Sequence, residues 1–136
     1  MIKEQQRYIT TVLITSLLLF VSCQRRYCLQ DVAVTDLFIY HIDGKKEYCK
    51  SFKSACKGDS IAFKYLTDQN YSDGAGYEHG YVVSIVLDSI GEEKVARWIE
   101  SQYIDGAKLK SYLRAGQDWR SSGKEPAEER YPLLFR

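Results

Sequence analysis

The chain has 136 residues, 19 basic and 18 acidic side chains, 45% hydrophobic residues and 4 cysteines. A chain of that size has room for one compact core rather than two. Its near-zero net charge supplies no overall basic excess of the kind that binds nucleic acid, so nucleic acid is not an expected partner.

At the N-terminus, Lys3 and Arg7 precede a charge-free run from Tyr8 to Gln24 whose centre, Val12 to Val21, is largely aliphatic. A spanning helix needs about 20 predominantly apolar residues. This run is shorter, closes on the small Ser22 and meets Arg25 and Arg26 at once, the profile of a cleavable signal peptide. Leu19-Phe20-Val21-Ser22-Cys23 resembles the lipobox of bacterial lipoproteins, in which the signal is cut before the cysteine and that thiol is acylated. Phe20 stands where that family usually has Leu. The resemblance covers the export segment and implies a lipid, such as palmitate, on Cys23 and a place in the bacterial cell envelope; an ordinary signal with an incidental cysteine is the alternative. Gln24 after the cysteine favours the outer membrane, with the rest of the chain facing the periplasm or the surface. Residues 1–22 are then the signal, 23–30 a lipidated tether and 31–136 a single domain. The signal holds Lys3, Arg7 and Glu4, so the remainder balances to zero charge.

Past the tether, Val32, Val34, Leu37, Phe38, Tyr40 and Ile42 form an apolar stretch that reads as a strand, or as a short helix capped by Asp36 and ending at Gly44. Tyr48, Cys49, Phe52 and Cys56 recur at helical spacing, with Lys46, Lys50, Lys53 and Lys57 on another face and Gly58 as a stop. Asp59 caps a further helix presenting Ile61, Ala62, Tyr65 and Leu66. Tyr71 to Gly80, with Gly74, Gly76 and Gly80, reads as a long loop, and loops of that kind often hold function. From Tyr81, the residues Val82, Val83, Ile85, Val86, Leu87 and Ile90 predict a core helix that ends at Gly91. Glu92 and Glu93 open the next, with Val95, Trp98 and Ile99. Asp105 caps another, carrying Leu109, Tyr112 and Leu113 up to Gly116. Ser121 to Glu129 is a polar linker, and Tyr131 to Phe135 is a tail expected to fold back. The expectation is an all-α bundle of about five short helices.

Export permits a disulfide. On one helix, Cys49 and Cys56 would lie about 10.5 Å apart along the axis, too far to bridge. A bridge would therefore join Cys28 to Cys49 or to Cys56, with free buried thiols as the other reading. Neither His41 nor His79 lies in a ligand motif, so no metal and no cofactor is expected.

Charge is unevenly laid out. Lys45, Lys46, Lys50, Lys53, Lys57 and Lys64 face few acids, whereas no Lys or Arg occurs between Tyr65 and Glu93. Such segments can steer a charged partner or orient a domain over anionic headgroups, or they can neutralise one another in the fold.

Tyr77-Glu78-His79-Gly80 and Ile90-Gly91-Glu92 are similar to segments of small helical bacterial proteins of unassigned activity. That likeness spans Asp73 to Gly116, departs at Gln117-Asp118-Trp119, and implies an all-α fold without an activity. Glu78 beside His79 is the one candidate acid-base pair; capping and carbonyl contacts are the ordinary use of both residues at a helix start. Asp68, Asn70, Ser72 and Asp73 alternate as calcium donors do, but the register puts Asp73 where a glycine belongs and His79 where a glutamate belongs. All but Tyr8 of the 11 tyrosines follow the signal. Tyrosine suits binding surfaces and small cores alike.

No nucleophile elbow or phosphate loop is present, so an enzyme is the minority expectation. The leading one is a lipid-anchored envelope binding module that recognises a protein through Asp68, Tyr71, Asp73, Tyr77, Glu78 and Tyr81. An immunity-type inhibitor of a toxin is one form of it. The alternatives are a small envelope enzyme using His79 and Glu78, and a structural lipoprotein without a specific ligand.

Overall fold

The structure, a computed structural model, describes residues 28–29, 31–121 and 125–136. The signal segment and the Cys23 lipobox lie outside the described residues. Two compact units divide the chain, Met1–Gln30 and Asp31–Arg136. The second is all-α. Among the described residues it holds α1 (Asp36–His41), α2 (Lys45–Ala55), α3 (Ser60–Asp68), α4 (Asp73–Ile90), α5 (Glu92–Glu100), α6 (Gly106–Ser121) and α7 (Ala127–Arg130), with no strand. None of these helices is long and apolar enough to cross a membrane.

The open choice at Val32 to Ile42 resolves as helix, and the cap is Thr35 rather than Asp36. The Thr35 hydroxyl accepts from the Phe38 amide at 3.2 Å, and Asp36 becomes the first helical residue, where its charge suits the helix dipole. Gly44, at φ +64°, makes the reversal into α2. The buried face of α2 is Tyr48, Ser51, Phe52 and Ala55. That face is rotated from the expected one, leaving Cys49 and Cys56 only partly covered. Asp59 caps α3 as expected, its Oδ1 accepting from the Ile61 and Ala62 amides. Ile61 points to solvent, 74% exposed, while Phe63 is fully buried.

The main correction concerns the glycines. Tyr71 to Gly80 is not a long loop, because α4 begins at Asp73. Likewise, α6 does not stop at Gly116 but continues to Ser121. Gly80 and Gly116 are where these two central helices touch. A Cβ on Gly80 would overlap the Tyr112 carbonyl oxygen and come within 2.7 Å of the Gly116 nitrogen. Neither glycine is needed for its torsion angles; the missing side chain lets two backbones meet.

Val82, Val83, Val86 and Leu87 of α4 and Leu109 and Leu113 of α6 are all buried, and these two helices make the most extensive helix–helix contact among the described residues. At roughly 1.5–3 kcal/mol per buried aliphatic side chain, this seam is the principal hydrophobic contribution. Two further helices exceed the expected number: α1, and the four-residue α7 within the supposed linker, which follows Pro126 and buries Ala127. The tail is pinned to α4 by Asp88, which accepts from Arg120 at 2.8 Å, Arg130 at 2.9 Å and the Tyr131 hydroxyl at 2.9 Å.

Cys28 and Cys49 are each disulfide-bonded, whereas Cys56 is a free thiol. Burial pushes that thiol upward, partly offset by a hydrogen bond with Ser89.

Candidate functional site

Three elements converge on one groove: α1 with the turn after it, the 69–72 connection, and the first turns of α4. Its volume is about 480 Å³, and its walls include Leu37, Phe38, Tyr71, Asp43, Asp73 and Glu78. His41 also lines it, but no Lys or Arg does.

The floor is fixed from below. Gln69 and Tyr71 are both bound to the Tyr112 hydroxyl, which donates to the Gln69 carbonyl and accepts from the Tyr71 amide at 3.2 Å. Lys108 holds the same connection, donating to the Asp68 carbonyl at 2.7 Å and to Asn70 Oδ1 at 2.9 Å. Two side-chain oxygens of the alternating Asp68–Asp73 pattern are thus already engaged by ammonium groups, Asn70 Oδ1 by Lys108 and the Asp68 carboxylate by Lys64. Asp73 enters α4 at φ +51°, a left-handed conformation in which an Asp costs less than most side chains. Tyr71 is half-buried. Burial, with the nearby phenol of Tyr65 and the carboxylate of Asp43, pushes its hydroxyl up to about 12, so it stays a neutral donor.

Glu78 and His79 are neighbours in sequence with separate partners. The Glu78 carboxylate accepts from the Thr35 amide and from the Thr35 hydroxyl, the latter at 2.8 Å. It thereby fastens the start of α1 to the second turn of α4. His79 is fully buried. Its Nε2–H donates to the Leu66 carbonyl at 3.0 Å, which leaves Nδ1 to accept from the Tyr48 hydroxyl at 2.7 Å. Burial lowers its pKa from 6.5 to about 3; the Leu66 bond opposes this, and the charge of Lys108 adds to it. Tyr71 and Tyr112 lie 4.6 and 4.7 Å from the imidazole, centre to centre, and Phe38 6.4 Å away. Phe38 and Tyr71 belong to the groove wall, so the histidine stands one layer behind it. A neutral ring with both nitrogens bonded holds its neighbours in place and has no atom to offer a substrate.

The expected partner-binding residues separate into two groups. Tyr71, Asp73 and Glu78 come together in the groove. Asp68 instead pairs with Lys64 of its own helix at 2.8 Å. Tyr81 lies beneath the Arg120 guanidinium, 5.8 Å from its ring centre. Tyr77 is 44% exposed and is not one of the lining residues. Leu37, Phe38, His41 and Asp43 complete the site from the α1 region, more than 25 residues upstream. Their apolar spacing was visible, but nothing in it indicated which part of α4 they would meet. Among the described residues, no three His, Cys, Asp or Glu side chains cluster as metal ligands do. No family model, curated protein or solved structure matches the chain.

Proposed function

We propose that the protein is a lipid-anchored envelope binding module that receives a cationic segment of a partner protein in the α1–α4 groove. The single observation carrying this reading is the composition of the groove. Asp43 and Asp73 lie beside the apolar walls of Leu37, Phe38 and Tyr71, with no basic side chain other than His41 to compensate them. An aliphatic stem would pack on those walls while its ammonium or guanidinium meets the carboxylates. The floor is braced by Tyr112 and Lys108, so little ordering is left to accompany binding. Anchoring rests on the Cys23 lipobox. An immunity-type inhibitor, its acidic groove meeting a basic toxin surface, is the specific form this reading favours.

A photo-crosslinking residue at Leu37, on the groove wall, tests the reading in cells against the same residue at Ile61, exposed on α3. The expected result is a discrete protein adduct from position 37 alone, lost when Asp43 and Asp73 are both changed to Asn. Equal adducts from the two positions, or adducts indifferent to the Asn changes, would contradict it.

The enzyme alternative is disfavoured by the burial and double bonding of His79. His79→Ala would therefore act through stability. A purely structural lipoprotein would tolerate the loss of both groove aspartates without any change in contacts.

A further inference from the structure

Away from the groove, α2 carries a second charged feature of opposite sign. At about 100° per residue, Lys46, Lys50, Lys53 and Lys57 fall within roughly 60° of one another, the last in the turn that continues α2. All four are exposed. None forms an ion pair among the described residues, although Lys64, Arg114, Arg120 and Arg130 do. The buried arc of α2, Tyr48, Ser51, Phe52 and Ala55, lies on the opposite side of the helix. The expected mutual neutralisation of the lysine-rich and acid-rich segments therefore does not extend to this stripe.

We infer that this lysine face docks on the anionic headgroups of the membrane that carries the anchor. The inference rests on the proposed lipidation of Cys23 for its geometry. From Cys23 to Asp31 the chain can extend at most about 28 Å, close to the diameter of a domain this size. The tether therefore keeps the domain within about one diameter of the bilayer, and charge decides which face turns towards it. A face of four uncompensated ammonium groups complements phosphate headgroups. The acid-lined groove does not, and is left for the cationic partner. Each lysine near an anionic surface raises partition about fivefold, so the four together raise it by a few hundredfold in moderate salt, less in high salt.

Lysine acetylation footprinting of the full chain tests this, with protein extracted from membranes in detergent and reconstituted into vesicles. Vesicles of equimolar phosphatidylcholine and phosphatidylglycerol are compared with vesicles of phosphatidylcholine alone. The expected result is slower labelling of Lys46, Lys50, Lys53 and Lys57 on the anionic vesicles only, reversed by salt, while Lys110 of α6 labels alike on both. Changing the four lysines to Gln should abolish the response of surface residence to lipid charge. Labelling that is the same on both vesicle types would overturn the inference. Membrane recovery of Cys23→Ala, measured beside it, separates the two ideas: if that variant remains membrane-bound while the lysine protection persists, the lipid anchor is lost and the docking face stands.

Discussion

Gly80 and Gly116 meet with no side chain between them. A Cβ on Gly116 would overlap the Gly80 carbonyl and stand 2.6 Å from the Tyr81 nitrogen. These are backbone atoms in two long helices, so neither can shift without moving its helix. Gly80→Ala and Gly116→Ala should each destabilise the protein by about 3 kcal/mol or more, through overpacking. Gly74 provides the contrast. It lies in the first turn of the same helix, with no atom within 4 Å of a built Cβ. Gly74→Ala should raise stability by about 0.5–1 kcal/mol. Urea melts of the three variants check both signs.

Sequence pattern could not separate those glycines, because a residue that permits a turn and one that permits close contact are the same letter. The aliphatic run after Tyr81 and the Asp59 and Asp105 caps were legible, since local hydrogen bonding and periodicity govern them. The Thr35–Glu78 bond was not. It spans 43 positions and depends on how α1 docks, so half of the groove was invisible until the helices were assembled.

The buried histidine should make stability depend on pH. Its folded pKa, about 3, is below the 6.5 of the unfolded chain, so the unfolded state binds the extra proton first. The contribution of the neutral ring is complete above about pH 6.5. It is lost as pH falls towards 3, at up to about 1.4 kcal/mol per unit. Asp88 acts in the same sense at lower pH. Burial raises its carboxyl, but hydrogen bonds from Arg120, Arg130 and Tyr131 outweigh that and hold it below its ordinary value. Its contribution therefore disappears as protonation breaks those bonds. Denaturant midpoints measured across the acid range should fall steadily for the wild type and less steeply for His79→Gln.

Tyr48→Phe removes one hydroxyl and leaves the buried His79 Nδ1 without its donor. The expected cost is about 1–3 kcal/mol. Catalysis by His79 would give a different pattern, a loss of turnover at unchanged stability, so thermal melts and activity screens of this variant discriminate between the two roles.

Alkylation should distinguish the cysteines. Under denaturing, non-reducing conditions Cys56 should label, whereas Cys28 and Cys49 should label only after reduction. In the native protein Cys56 should react slowly at neutral pH, because burial disfavours its thiolate. Peptide mapping of the alkylated protein gives the answer for each site.

Asp73 offers a separation of folding from binding. Its left-handed backbone would be easier for glycine, which is set against the freedom glycine adds to the unfolded chain and the lost first-turn carboxylate, so Asp73→Gly should change stability by less than about 1 kcal/mol while weakening recognition. Equilibrium unfolding beside a crosslinking assay measures both.

The most direct measurement is an NMR titration of the protein with a short arginine-rich peptide. Salt-sensitive shifts are expected to be confined to the groove, at the amides of Asp43, Tyr71, Asp73 and Gly74, and to be lost when Asp43 and Asp73 are changed to Asn. Shifts centred instead on Glu93, an exposed acid of α5, or a response that survives both substitutions, would contradict the groove as the binding site.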